Sequence, residues 1–235
     1  FIFFEILHLR NKNFFIYKHF IFNLFIAIKG KKFDGTNFIR EALKKKASYV
    51  VVPKEKKIKG VNIKRVIKVD NTLKFLNKIS FLKRESTNAK IIGITGSAGK
   101  TSLKNLVGNT LSYYGKTHVS PRSFNNKFGV PLSLSNIEQS HKFGVFEIGM
   151  SKKGEIDNLS RVIKPEIGVI TNIAEAHIEN FKDIKGIAKA KSEIIKNITP
   201  DGSLVVNRDD RFFNFIKNIA KKRNIKVVSF GMKNN

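Results

Sequence analysis

Short, nearly unbroken runs of Ile, Val and Phe recur along this chain. Between them lie stretches in which apolar residues return every three or four positions, the pattern of buried strands alternating with amphipathic helices. Residues 24–28 predict a strand, Lys29-Gly30 and Asp34-Gly35 turns, 38–46 a helix, and 48–52 a second strand closed by Pro53. A strand at 65–69 and a helix from 71 to about 84, capped by Asp70 or Asn71, complete a small α/β unit. The polar stretch 83–88 reads as the join to a second domain, giving domains 1–85 and 86–235. Beyond it the pattern predicts strands at 90–95, 117–120, 143–148, 166–173, 203–206 and 226–230. Helices are predicted at 103–114, 155–164, 187–197 and 211–222, with a loop running through Pro131. Such alternation implies a mostly parallel sheet covered on both faces, with ligands binding beyond the carboxyl ends of its strands.

The opening 23 residues are strongly apolar but interrupted by Lys18, His19 and Asn23, too short an uncharged run for a membrane span. A pair of buried strands or a partly foreign segment is the expectation there. A membrane-attached scaffold is the alternative that an apolar opening leaves standing.

Between the run Ile91-Ile92 and the helix-compatible run 103–114 lies Gly93-Ile-Thr-Gly-Ser-Ala-Gly-Lys-Thr-Ser102. Glycines allow consecutive backbone N–H groups to face a polyphosphate, Lys100 adds a mobile cation, and Thr101 offers a hydroxyl to Mg²⁺ at a helix N-terminus. Gly96, Ser97, Ala98, Gly99, Lys100, Thr101 and Ser102 are the candidate nucleotide-binding residues. The strict phosphate-loop pattern asks for glycine where Ile94 stands, so the loop is a variant.

Cysteine is absent, which excludes disulfides, thiolate metal sites and thiol nucleophiles, and fits the cytoplasm. The formal charge of +27 would ordinarily raise nucleic acid as a partner. Here the lysines are dispersed over the whole chain, a diffuse solvated surface, so nucleic acid is not the expected partner. A basic nucleic-acid-dependent ATPase stays open as an alternative.

Three further residues sit where strand ends are predicted. Glu147, in Phe143-Gly-Val-Phe-Glu147, is a carboxylate on an apolar strand, suited to a cation and otherwise a rim carboxylate paired with a lysine. His177 follows strand 166–173 and is either structural or a ligand. Lys191 reads on spacing as one more solvated lysine of a helix.

Taken together these segments resemble the Mur ligases of peptidoglycan precursor synthesis. The carriers are Phe25 to Gly35 with Phe38 and Ala42, Gly93 to Ser102, and Ser123-Phe-Asn-Asn-Lys-Phe-Gly-Val-Pro-Leu132. Glu147-Ile-Gly-Met-Ser151 with Gly154-Glu-Ile156, Thr171-Asn-Ile173 with Ala176-His-Ile-Glu179, Ala190 to Ile194, and Asn207 with Asp209-Asp210 complete them. The Phe-Asn-Asn and Glu-Ile-Gly-Met-Ser segments look most like the member that adds D-alanyl-D-alanine; another Mur-type ligase or a folylpolyglutamate synthase-like enzyme is the alternative. The resemblance implies a UDP-precursor-binding-like first domain followed by a phosphate-loop ATPase domain. It also implies an ATP- and Mg²⁺-dependent amide ligase whose partners are UDP-N-acetylmuramoyl-tripeptide and D-alanyl-D-alanine, acting as a cytoplasmic monomer through an acyl phosphate. By the same resemblance Lys100, Asn125, Asn126, His177 and Lys191 are catalytic. Thr101 and Glu147 hold one Mg²⁺, and His177 with carbamylated Lys191 supports a second. Two departures stand out: no Asp-Ser-Arg type segment precedes Leu24, and Lys152 replaces the usual His after Met150-Ser151. The chain is therefore expected to be a fragment truncated at both ends, without the C-terminal domain, binding nucleotide weakly and ligating negligibly by itself.

Overall fold

The computed structural model describes residues 4–6, 22–30, 34–176 and 178–232. Two compact units divide between Ile79 and Ser80.

In the first unit, β1 (Phe4–Ile6), β2 (Phe22–Ile26), β3 (Tyr49–Pro53) and β4 (Val66–Val69) form one sheet in that order. β1 is antiparallel to β2, whereas β2, β3 and β4 run parallel, because α1 (Ile39–Lys44) lies in the crossover from β2 to β3. Asp34 opens that crossover by accepting the Thr36 N–H at 2.9 Å. Gly35 then passes so near Ile28 that a Cβ would lie 2.7 Å from its backbone N and O. Phe25, Ala27, Ile39, Ala42, Val50 and Val52 make the core. Of the two expected caps, Asn71 serves α2 (Thr72–Ser86), its Oδ1 accepting from the Lys74 N–H at 2.9 Å, while Asp70 pairs with Lys54.

The second unit holds a wholly parallel six-stranded sheet. Its strands are β5 (Lys90–Thr95), β6 (Thr117–Val119), β7 (Phe143–Glu147), β8 (Ile167–Ile170), β9 (Ser203–Asn207) and β10 (Lys226–Phe230), in the order β10-β9-β8-β5-β7-β6. The helices are α3 (Lys100–Ser112), α4 (Gly129–Ser135), α5 (Glu155–Ile163), α6 (Ile184–Lys191) and α7 (Phe213–Lys221). Successive β5 side chains serve opposite faces. Ile92 and Ile94 pack with Val145 and Val169 under Leu103, Val107 and Leu111 of α3. Ile91 joins Phe146, Ile163, Ile187 and Ile194 on the other face. Gly93 keeps that second layer close, since a Cβ there would approach the Ile163 Cδ1 to 3.0 Å. The chain leaves β5 toward β6 and β7 on one side and reaches β8 on the other, so the carboxyl ends of β5, β7 and β8 border the switch point where such sheets bind ligands. Among the described residues no helix is long and apolar enough to cross a membrane.

Four differences from the sequence expectation have a visible physical cause. The loop expected through Pro131 contains α4, because Pro131 is in its first turn, where a backbone N–H has no intrahelical acceptor to lose. Asn126 Oδ1 caps that turn, accepting from the Phe128 and Gly129 N–H groups, each at 3.0 Å. The helix expected at 187–197 is α6 followed by a 3-10 segment, Ser192–Asn197. α2 continues to Ser86, and its basic residues are employed: Arg84 donates to Ile163 O and Lys164 O and pairs with Glu166. Finally, β8 stops at Ile170, because the next residues turn onto the loop after β5, starting with Thr171 N–H to Thr95 O at 3.0 Å.

Candidate functional site

Ile94, which occupies the phosphate-loop position normally held by glycine, is buried inside β5, so the turning glycines are Gly96 and Gly99. Both have positive φ, 146° and 77°, and Gly99 immediately precedes α3. A rigid wall supports the loop from behind. Ser97 exchanges two hydrogen bonds with Ala174, donating to its carbonyl at 3.0 Å and accepting its N–H at 2.9 Å. Ala98 N–H donates to Asn172 Oδ1 at 2.9 Å, and the Thr171 hydroxyl donates to Ala98 O at 2.7 Å. A Cβ on Gly96 would lie 1.8 Å from Thr171 Oγ1. Gly96→Ala is therefore expected to cost about 2–4 kcal/mol of unfolding free energy and to weaken nucleotide binding, checked by urea titration and calorimetry.

In front of the loop opens a pocket of about 650 Å³, lined by Gly96, Ser97, Lys100, Asn125, Asn126 and Lys191 among others. Six sequence-predicted residues therefore meet in one cavity. Ser102 faces outward on the first turn of α3 instead.

Glu147, at the tip of β7, is only 2% exposed. Its two carboxylate oxygens accept different donors: Thr101 Oγ1 to Oε2 and Asn125 Nδ2 to Oε1, each at 2.7 Å. Among the described residues it makes no lysine salt bridge, so the reading of a rim carboxylate paired with lysine is corrected. Two oxygen donors from separate elements, one anionic, suit a hard cation such as Mg²⁺, which takes few protein ligands and completes its shell with phosphate and water. Among the described residues no group of three or more His, Cys, Asp or Glu side chains is placed to hold a metal ion.

Lys100 Nζ folds back to donate to Gly96 O at 2.8 Å and Ser97 O at 3.3 Å. Burial lowers its pKa, and the charge of Glu147 opposes that shift. Lys191 is 2% exposed, not the solvated lysine that its spacing predicts. Burial first, and then the Lys100 charge, push its pKa down to about 7. No described residue hydrogen-bonds to its ammonium. The consequence for stability is directional. Below pH 7 folded and unfolded chains both carry the proton and the burial penalty is full. Between pH 7 and the ordinary lysine value of 10.5 only the unfolded chain holds the proton, so stability rises with pH. The expected gain is about 2 kcal/mol between pH 7 and pH 9, and Lys191→Met should abolish it in denaturant titrations at the two pH values.

His177 lies outside the described residues; its neighbour Ala176 borders the pocket. A second pocket, beyond β9, is lined by Ile173, Glu175, Asn207, Asp209, Asp210 and Arg211 among others. Asp210 joins its two sides, accepting the Ile173 N–H at 2.7 Å and the Phe212 N–H at 2.8 Å.

Sequence reasoning missed Asn172 and Lys104. Asn172 gives no signal beyond its strand-end position. Lys104, buried on α3, repeats Lys100 at i+4, a helical spacing that puts both on one face.

Residues 94–235 match the Mur ligase middle domain. A UDP-N-acetylmuramoyl-tripeptide–D-alanyl-D-alanine ligase of Buchnera aphidicola subsp. Acyrthosiphon pisum is 41% identical over 210 residues, 89% of this chain and 45% of that protein. MurF from Acinetobacter baumannii superposes with a TM-score of 0.78 at 33% identity, covering 88% of this chain and 45% of its own. The MurF ligase from Thermotoga maritima in complex with ADP gives a TM-score of 0.75 at 28% identity, covering 91% and 48%. This chain thus spans a little under half the length of these relatives. With a middle-domain match that takes in the phosphate loop, the strand-tip glutamate and the buried lysine, the chain belongs to the Mur ligase family.

Proposed function

We propose that the protein is an ATP-dependent amide ligase that adds D-alanyl-D-alanine to UDP-N-acetylmuramoyl-tripeptide in the cytoplasm. The observation that carries this reading is the convergence of Thr101 and Asn125 on buried Glu147 beside the phosphate loop. The identity to a relative named for that reaction supports the choice of substrates.

In the proposed reaction, a carboxylate oxygen of the tripeptide attacks the γ-phosphorus and the bond to the β-phosphate bridging oxygen breaks, releasing ADP. The amine of the dipeptide then attacks the acyl carbon, phosphate leaves with the C–O bonding electrons, and the amine proton passes to solvent. Lys100 exchanges its two loop carbonyls for β- and γ-phosphate oxygens. Asn125 and Asn126 offer amide N–H groups to the transferred phosphoryl and the acyl phosphate. Mg²⁺ held by Thr101 and Glu147 would neutralise phosphate charge as the two anionic reactants meet. Lys191, depressed to a pKa of about 7, spends much of its time as a neutral amine. Only that form can add CO₂ to give the anionic carbamate proposed, with His177, for a second Mg²⁺. The first unit is proposed to bind the UDP precursor.

The test is phosphate release by the full-length gene product with ATP, UDP-muramoyl tripeptide and D-alanyl-D-alanine. Turnover and a pentapeptide product are expected only when the dipeptide is present. Unchanged turnover without the dipeptide would overturn the assignment.

A further inference from the structure

We infer that Lys104 is a positioning residue for the metal-nucleotide site, its buried ammonium holding the loop after β6 so that Asn125 meets Glu147. This rests on the reading of Thr101 and Glu147 as the Mg²⁺ ligands.

Lys104 is 1% exposed and among the largest fully buried side chains of the described chain. Its Nζ donates to Ser120 O at 2.8 Å and Arg122 O at 2.6 Å. Among the described residues no carboxylate pairs with it, although the charge of Glu147 acts on it from nearby. A cation buried against two carbonyls is costly where an apolar side chain of similar length would pack without that cost. What the ammonium secures is the path of the loop. Arg122 stands at φ 46°, a left-handed conformation that a residue with a Cβ adopts only when its surroundings enforce it. The carbonyl of that same residue is the one Lys104 holds.

Both ends of this brace bear on Glu147. Ser120, whose carbonyl Lys104 takes, also accepts the Glu147 N–H on its Oγ at 3.2 Å. Three residues past Arg122, Asn125 donates to Glu147 Oε1 and accepts the Gly149 N–H on its backbone carbonyl at 2.8 Å. The amide fits closely there, since a Cβ on Gly149 would come within 2.9 Å of the Asn125 Cγ. Without Lys104 the loop relaxes, Asn125 withdraws and one oxygen of Glu147 loses its fixed partner. The phosphate loop itself is held from the opposite side by residues 171–174 and is left in place.

The test is ADP titration calorimetry on the full-length gene product, with EDTA and with saturating Mg²⁺, together with thermal unfolding. Wild type is expected to bind ADP about tenfold more tightly with Mg²⁺. In Lys104→Met this gain should fall below about threefold while affinity in EDTA stays within about threefold of wild type. Combining Lys104→Met with Asn125→Ala should lower the gain no further than either change alone. A folded Lys104→Met protein with the full Mg²⁺ gain would overturn the inference, as would losses that multiply in the double variant. If Lys104→Met does not fold, Lys104→Arg is used. Its wider guanidinium must displace the two carbonyls, so the same reduced gain is expected and an unchanged gain overturns the inference. Should wild type itself gain nothing from Mg²⁺, the magnesium-site reading falls, and this inference with it.

Discussion

Ligation by the Lys100→Met protein is expected to fall by about 10²–10³-fold, the usual loss when one fixed charge is removed from a developing anion. The prediction follows from where the ammonium sits. Lys100 opens α3, directly after Gly99, and its Nζ already rests against the carbonyls of Gly96 and Ser97 at the rim of the pocket. It reaches the phosphates by exchanging those carbonyls, without moving its backbone. Methionine matches the stem in length and flexibility, so packing is kept and the cation alone is lost. Lys191, which also lines the pocket, does not replace that cation, because burial, the first cause of its lowered pKa, persists when Lys100 is removed. Phosphate release and ATP affinity should be measured together. A variant within threefold of wild type would show that Lys100 does not contact the transferred phosphoryl.

Glu147→Gln should separate function from folding. Glutamine is isosteric, its amide oxygen can still accept from Asn125, and the Thr101 hydroxyl can turn to accept from the new amide. The unfolding free energy should change by no more than about 2 kcal/mol, part of it from losing the field that favours the charged forms of Lys100 and Lys104. ADP affinity in the presence of Mg²⁺, by contrast, should drop about tenfold, the whole of the wild-type gain, since the neutral amide is a poor ligand for a hard cation. Urea titration beside ADP titration with and without Mg²⁺ distinguishes these outcomes. Intact Mg²⁺ dependence in the variant would exclude Glu147 as a ligand.

The fold was legible wherever hydrophobic runs were bounded by strong turn signals. Both ends of β5 and β10 were read correctly because apolar residues there give way directly to polar or glycine-rich ones. α4 was hidden because Gly129 and Pro131 read as breakers, and only the Asn126 cap reveals that they stand in a first turn. The candidate site divides the same way. Gly96, Gly99 and Lys100 are legible because a phosphate loop is local in sequence, and Glu147 because a carboxylate in an apolar strand demands a reason. Lys104 was unreadable, and Lys191 legible through the family resemblance alone and not from its spacing, for the opposite cause. In a chain of net charge +27, lysines that are buried look like the many that are solvated, and only the fold reveals which ones are enclosed.

The uniform direction of the six strands polarises how much change the second unit can absorb. Loops at the leading tips of β5, β6, β7 and β8 carry most of the residues that line the pocket beside Lys100, whereas the residues that lead into those strands line no part of it. Drift toward lysine, asparagine and phenylalanine can therefore accumulate around the trailing rim and the outer helical surfaces at little functional expense. Substitutions confined there would leave the pocket edge almost unaltered beneath a rewritten exterior.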